Sequence, residues 1–145
     1  MTVLALLPLA SAAVPVTDDA AFFEQKVLPI LETRCLECHG SGEELRAGLW
    51  LTRREGLLAG GDSGPAVDLA DPLASLLLRK ISYQDEYNQM PPTGPLPEAE
   101  RAVLRQWVQR GIPWSEAVDI EESAREGPRR ITKGDGLEGW AYFSV

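Results

Sequence analysis

The chain is poor in the residues that most often carry chemistry. It has one histidine, two cysteines and two methionines in 145 residues, and one of the methionines is Met1. A lone histidine excludes any site built on two imidazoles of this chain. With the two cysteines it gives three sulfur or nitrogen ligands, one short of the four a structural zinc site takes. Basic residues are also few: 14 Lys and Arg stand against 22 Asp and Glu, for a net charge of −8 and a pI near 4.7. That balance excludes a nucleic-acid surface, because phosphate binding needs clustered Lys and Arg. No apolar run is long enough to span a bilayer. The 44% hydrophobic content is globular, and the length allows one ordinary domain.

The scarce residues are concentrated. Both cysteines and the histidine fall in Cys35-Leu36-Glu37-Cys38-His39. C-x-x-C-H is the attachment signal for a c-type haem, in which the thiols add to the vinyl groups and the histidine ligates iron. The spacing has a mechanical reason. Two intervening residues in a helical turn put both sulfurs on one side, and the next residue projects its imidazole over the porphyrin face. A thiol–disulfide centre would want a preceding strand and a βαβ pattern, neither of which is apparent. A plain disulfide leaves His39 unexplained. Haem attachment accounts for all three residues; a haem-free thiol redox pair stands as the alternative.

Around this stretch the pattern is helical. Val3 to Leu9 is apolar and leads into Ala10-Ser11-Ala12, so residues 1–13 read as a secretory signal, although no basic residue precedes the run. Asp18 and Asp19 offer a helix start, and Phe22, Phe23, Val27, Ile30 and Leu31 share one helical face up to about Arg34. Pro29 should kink or break that helix. A loop follows, then Leu49-Trp50-Leu51 as a short extended piece. Thr52 with Glu55 predicts a capping box, and Gly60-Gly61 a helix stop. Gly61-Asp62-Ser63-Gly64-Pro65 resembles a serine-protease string, but Ser63 has no imidazole base to use, so a tight turn is expected. Asp71-Pro72 predicts a helix start with Leu73, Leu76, Leu77 and Ile81 as its stripe. From Pro97 to Arg110 a further helix buries Val103, Leu104, Trp107 and Val108, and Gly111 and Pro113 end it.

The loop from Asp85 to Pro97 holds the second chemical signal, Asn88-Gln89-Met90-Pro91-Pro92. Methionine is usually a core filler. Met90, however, stands on a polar loop off any helical stripe, and Pro91 biases it toward extended backbone. Histidine–methionine pairing is a known ligand set for haem iron, which makes Met90 the candidate distal ligand.

Taken together, "VLPILETRCLECHG", "GGDSGPAV" with "DPLASLLLRKI", "MPPTGPLPEAE" and "LRQWVQRGIPW" resemble the planctomycete-type cytochrome c domain over about Phe22 to Trp114. One departure is that "VDLADP" lacks the glycine often found before Asp-Pro, which bears on the local turn only. The resemblance implies a mostly α, small class I cytochrome c fold with helices packed around one covalently bound haem. It implies one haem c, thioether links at Cys35 and Cys38, and His39 and Met90 as axial ligands. Such domains commonly begin longer exported polypeptides. Residues 20–115 are then the cytochrome c domain, 116–136 a linker of acidic and basic blocks, and 137–145, "LEGWAYFSV", the start of a further segment or a docking tail.

Imidazole and thioether together would fill both axial positions of the iron, which favours electron transfer over oxygenase, peroxidase or gas-binding chemistry. The expected protein is an exported, periplasmic or cell-envelope electron carrier without a catalytic site of its own. Its redox partner should dock through a basic surface, since the carrier is acidic. The alternative of another class is a redox sensor or docking module for a fused or partner enzyme.

Overall fold

The computed structural model describes residues 18–40, 45–116, 118 and 120. The expected signal at 1–13, most of the expected linker and the terminal stretch 137–145 lie outside the described residues. Within them the chain is helical, and its sole β pairing is an isolated antiparallel bridge between Gly61 and Gly64. No helix among the described residues is long and apolar enough to cross a membrane.

The first helix starts at Asp18, where two aspartates in the first turn complement the helix dipole. Helix α1 (Asp18–Phe22) runs through a π turn, Phe23–Val27, into α2 (Leu28–Arg34). The expected disturbance at Pro29 takes this form. Proline lacks an N–H, and its ring crowds the carbonyl four residues back. A widened turn just before it relieves both problems, with the Leu28 N–H donating to the Phe23 carbonyl. The rod thus bends its hydrogen bonding but continues to the cysteines, through the irregular Cys35 (φ −124°, ψ −42°) into α3 (Leu36–His39).

A 3₁₀ turn at Arg46–Gly48 reverses the chain, with Ala47 at φ +53° and Gly48 at φ +62°. Leu49 is extended, as expected, and feeds Leu51 into the core. Helix α4 (Arg54–Ala59) begins later than the capping-box reading predicts. Its N-cap position is the extended Arg53, with no side-chain cap, so Thr52 and Glu55 do not form the box. Gly60 at φ +73° stops the helix, and Gly61–Gly64 closes the expected tight turn, Gly64 N–H to Gly61 O at 2.9 Å.

The helix expected from Asp71 is split. Pro72–Ala74 is a 3₁₀ turn, and α5 (Leu76–Ile81) starts only after Ser75. The cause is local competition for donors. Asp68 Oδ1 accepts from the N–H groups of Ala70 and Asp71, and Ser75 Oγ accepts from the Asp68 N–H, which fixes a loop where a longer helix would need free backbone. Leu73 therefore lies exposed instead of joining the stripe, while Ile81 is buried.

Helix α6 (Glu98–Gln109) packs across the π turn. Its face of Leu104, Trp107 and Val108 is buried, as the periodicity predicts, while Val103 is half-buried against the core. Trp107 lies 6.0 Å from Phe23 and 6.1 Å from Trp114 between ring centroids, and Phe23 and Trp114 are 4.4 Å apart. Each large apolar side chain taken fully from water contributes about 1.5–3 kcal/mol, so the fully buried Phe23 and Trp107, with the half-buried Trp114 against them, help hold the helix crossing. Polar contacts fix its direction: Arg110 pairs with Asp19 at 3.2 Å near one end, and Arg34 with Glu100 near the other. The two rods consequently run in opposite senses. Gly111 at φ +82° ends α6, with Gly111 N–H to Val108 O and Ile112 N–H to Trp107 O, both 3.0 Å. Arg54 donates to the carbonyls of Gly111 and Ile112 and ties α4 to this end. Ile120, within the span expected as linker, is buried in the same core.

Candidate haem attachment site

The three residues of the sequence signal share one turn. The N–H groups of Cys38 and His39 both donate to the Cys35 carbonyl, at 3.2 and 3.0 Å. Both cysteines are free and half-buried. His39 is buried, and its carbonyl accepts the Leu51 N–H at 2.8 Å, which pins the end of the attachment turn to the Leu49–Leu51 segment. Sequence reasoning found the turn but not this strut, because an extended tripeptide carries no mark of the residue it will pair with.

The imidazole itself is incompletely satisfied. His39 Nδ1 is buried and completes no hydrogen bond. Burial lowers the pKa of the ring, and the carbonyls of Leu49 and Arg46 oppose that shift, close enough to favour the protonated ring. A histidine that binds a metal through Nε2 directs its Nδ1–H at such an acceptor. The backbone carbonyls close to the buried ring and the two free thiols on the same turn fit a haem held through Cys35, Cys38 and His39, although His39 Nδ1 does not complete a hydrogen bond to either carbonyl.

The same geometry disfavours the thiol–disulfide alternative. Burial, then the Glu100 carboxylate, push the Cys35 thiol up to about 12, with Arg34 only partly offsetting them. An exchanging thiol needs a depressed pKa and access to solvent. Cys35 has neither.

Met90 stands apart from this turn. It lies on the loop after α5, 37% exposed and outside the hydrophobic core, so the core-filler role does not apply. Its N–H donates to the Lys80 carbonyl at 3.1 Å. Among the described residues no hydrogen bond joins its loop to the Cys35–His39 turn. Trp107 packs in the triad with Phe23 and Trp114, and its Nε1–H donates to the Pro113 carbonyl at 2.8 Å.

Free cysteines and a buried histidine on one C-x-x-C-H turn of a helical fold are the arrangement that c-type cytochrome domains use to hold haem. Residues 35–94 match the family model described as Planctomycete cytochrome C, a segment that holds Cys35, Cys38, His39 and Met90 and coincides with the middle of the resemblance drawn from the sequence. The segment is thus similar to the c-type cytochrome domains of that family, which implies a covalently bound haem c. No curated protein and no solved structure matches the chain.

Proposed function

We propose that this domain is a one-electron carrier, with one haem c bound through Cys35 and Cys38 and its iron held by His39 and Met90. The observation that carries the reading is the buried His39 ring on the turn that also presents two free thiols. When bound, the haem supplies reversible one-electron iron chemistry, and a soft thioether ligand favours its ferrous state. The chain's own residues set the conditions for it. Leu51 holds the attachment turn, the Leu49 and Arg46 carbonyls lie close to the imidazole, and the buried faces of α2 and α6 exclude water.

The net charge of −8 supports steering toward a partner with a basic docking surface. An exported, periplasmic or cell-envelope setting follows from the haem, since c-type haem is attached outside the cytoplasm. The part-exposed Met90 favours one second reading, a redox sensor in which Met90 leaves the iron on reduction.

The test is maturation in a haem-competent exporting host. The expected product has a Soret absorbance, a mass raised by one haem and a ferric thioether charge-transfer band that Met90→Ala abolishes. Colourless protein at the unmodified polypeptide mass would end the proposal. Carbon monoxide titration of the ferrous form separates the two readings: a carrier resists the ligand and a sensor admits it.

A further inference from the structure

The two neighbours of Met90 in the chain are both tied to one residue, Tyr83. The Tyr83 hydroxyl donates to the Pro91 carbonyl, and Gln89 Nε2 donates to the Tyr83 carbonyl at 3.3 Å. The N–H of Met90 itself donates to Lys80 at the end of α5. Three hydrogen bonds, made by the Gln89 side chain, the Met90 N–H and the Pro91 carbonyl, therefore hold the segment around a side chain that remains partly open to solvent. A methionine filling a core shows the opposite pattern, with a packed side chain on an ordinary helix or strand.

Tyr83 is also in an unusual conformation. It follows Ser82, the last cap of α5, at φ +60°, where the αL region ordinarily selects glycine. The turn alone thus gives no reason for tyrosine, and a glycine would adopt it at lower cost. The hydroxyl's bond to Pro91 supplies the reason. It uses the αL turn to send the side chain back along the loop to Pro91, the residue after the one that the sequence marks as the distal ligand.

We infer that Tyr83 is a positioning residue, strapping the 89–91 segment to the end of α5 so that the Met90 thioether is held at a constant place toward the haem iron. The inference rests on the proposed role of Met90 as ligand. Tyr83 touches neither cofactor nor iron in this account; it acts through the Gln89 side chain and the Pro91 carbonyl on either side of Met90. Asp85 to Tyr87 form the outer part of the loop, with a separate turn bond from the Tyr87 N–H to Asp85 Oδ1, and lie outside the strap.

The experiment uses matured holoprotein and four variants: Tyr83→Phe, Gln89→Ala, Tyr87→Phe and Met90→Ala. The readouts are the ferric thioether band and carbon monoxide binding by the ferrous form. Loss of one strap bond should raise the fraction of molecules with Met90 detached, and with it the rate of carbon monoxide uptake, about two- to tenfold. Tyr83→Phe and Gln89→Ala should both show this with haem attachment intact, while Tyr87→Phe, 91% exposed in the parent, should match the parent. A Tyr83→Phe protein with an undiminished band and parental uptake overturns the inference, even where its Tm is lower. Should Tyr83→Phe yield no holoprotein, parental behaviour of Gln89→Ala overturns it equally. A thioether band that survives Met90→Ala is a different failure, removing Met90 as ligand whatever Tyr83 does.

Discussion

Arg34 and Glu100 meet in a two-bond ion pair, Nε to Oε2 at 3.1 Å and Nη2 to Oε1 at 3.0 Å, across 66 positions of sequence. The pair joins the residue before Cys35 to the first turn of α6, so it clamps the helix crossing at the end where the haem would be attached. The forked geometry is the favourable one for arginine and carboxylate. Both side chains are nonetheless partly exposed, and exposed pairs add little stability and are screened by salt.

Glu100→Gln should accordingly lower the Tm of the holoprotein only slightly at low ionic strength, and the difference should shrink as salt rises. Arg34, whose pKa Glu100 raises by hydrogen bond and charge, stays protonated either way, so the effect should not depend on pH near neutrality. Thermal melts of parent and variant across a salt series check this. A loss that salt leaves unchanged would mean the pair acts through shape and not charge.

The two cysteines should be separable. Both are free and lie on one turn, and each offers its own thioether. Cys35→Ser and Cys38→Ser should each retain a haem through the remaining sulfur, whereas the double variant should release its haem on acid–acetone extraction. Intact mass before and after extraction reads the result. A haem that remains fixed to the double variant would contradict attachment through these sulfurs.

Trp107 has the most to lose by truncation. It is fully buried against Phe23 and Trp114, and its indole N–H is satisfied by Pro113. Trp107→Ala should cost about 3–5 kcal/mol by removing both transfer energy and packing. Trp107→Phe should cost less, retaining a ring in the cluster but leaving the Pro113 carbonyl without its donor. Urea unfolding of the ferric holoprotein gives both values. Equal losses would show that the hydrogen bond, and not the volume, dominates.

The parts of this molecule that were legible in the sequence are those set by local rules. The C-x-x-C-H turn, the buried face of α6 and its Gly111 stop all follow from spacing within one segment, and each stands where its residues predict. Pro29 was legible as a disturbance but not as a π turn, since proline forbids one hydrogen bond without saying which other replaces it. The capping box failed because Thr52 is drawn into the core beside Leu51, and the start of α4 moved with it. The helix from Asp71 failed because Asp68 and Ser75, three residues before and four after, fix the loop first. The candidate haem-binding residues Cys35, Cys38, His39 and Met90 are all marked by residue type, and the structure sets Met90 apart from the turn of the other three. The groups that position them are not so marked: Leu51, Arg46, Leu49, Glu100 and Tyr83 reach the site through tertiary contacts, which no single-sequence pattern encodes.

Gly56 sets two effects of similar size against each other. It lies inside α4, where replacing glycine by alanine ordinarily stabilises by about 0.5–1 kcal/mol. Here a Cβ would stand 2.2 Å from the Trp50 carbonyl oxygen and 3.0 Å from the carbon of the same group. Backbone cannot swing aside like the end of a side chain, and overpacking of this kind costs about 1–3 kcal/mol. The clash should win, making Gly56→Ala a net destabilisation of about 1 kcal/mol or more. The damage should also travel. Trp50 sits between Leu49, whose carbonyl acts on the His39 ring, and Leu51, whose N–H holds the His39 carbonyl. Gly56→Ala should therefore alter the Soret band of the holoprotein, whereas Ala102→Gly, on the exposed side of α6, should lower stability by about 1 kcal/mol through propensity alone and leave the spectrum unchanged. A Gly56→Ala protein more stable than its parent would show that the Trp50 segment yields freely, and that it is not the strut behind His39.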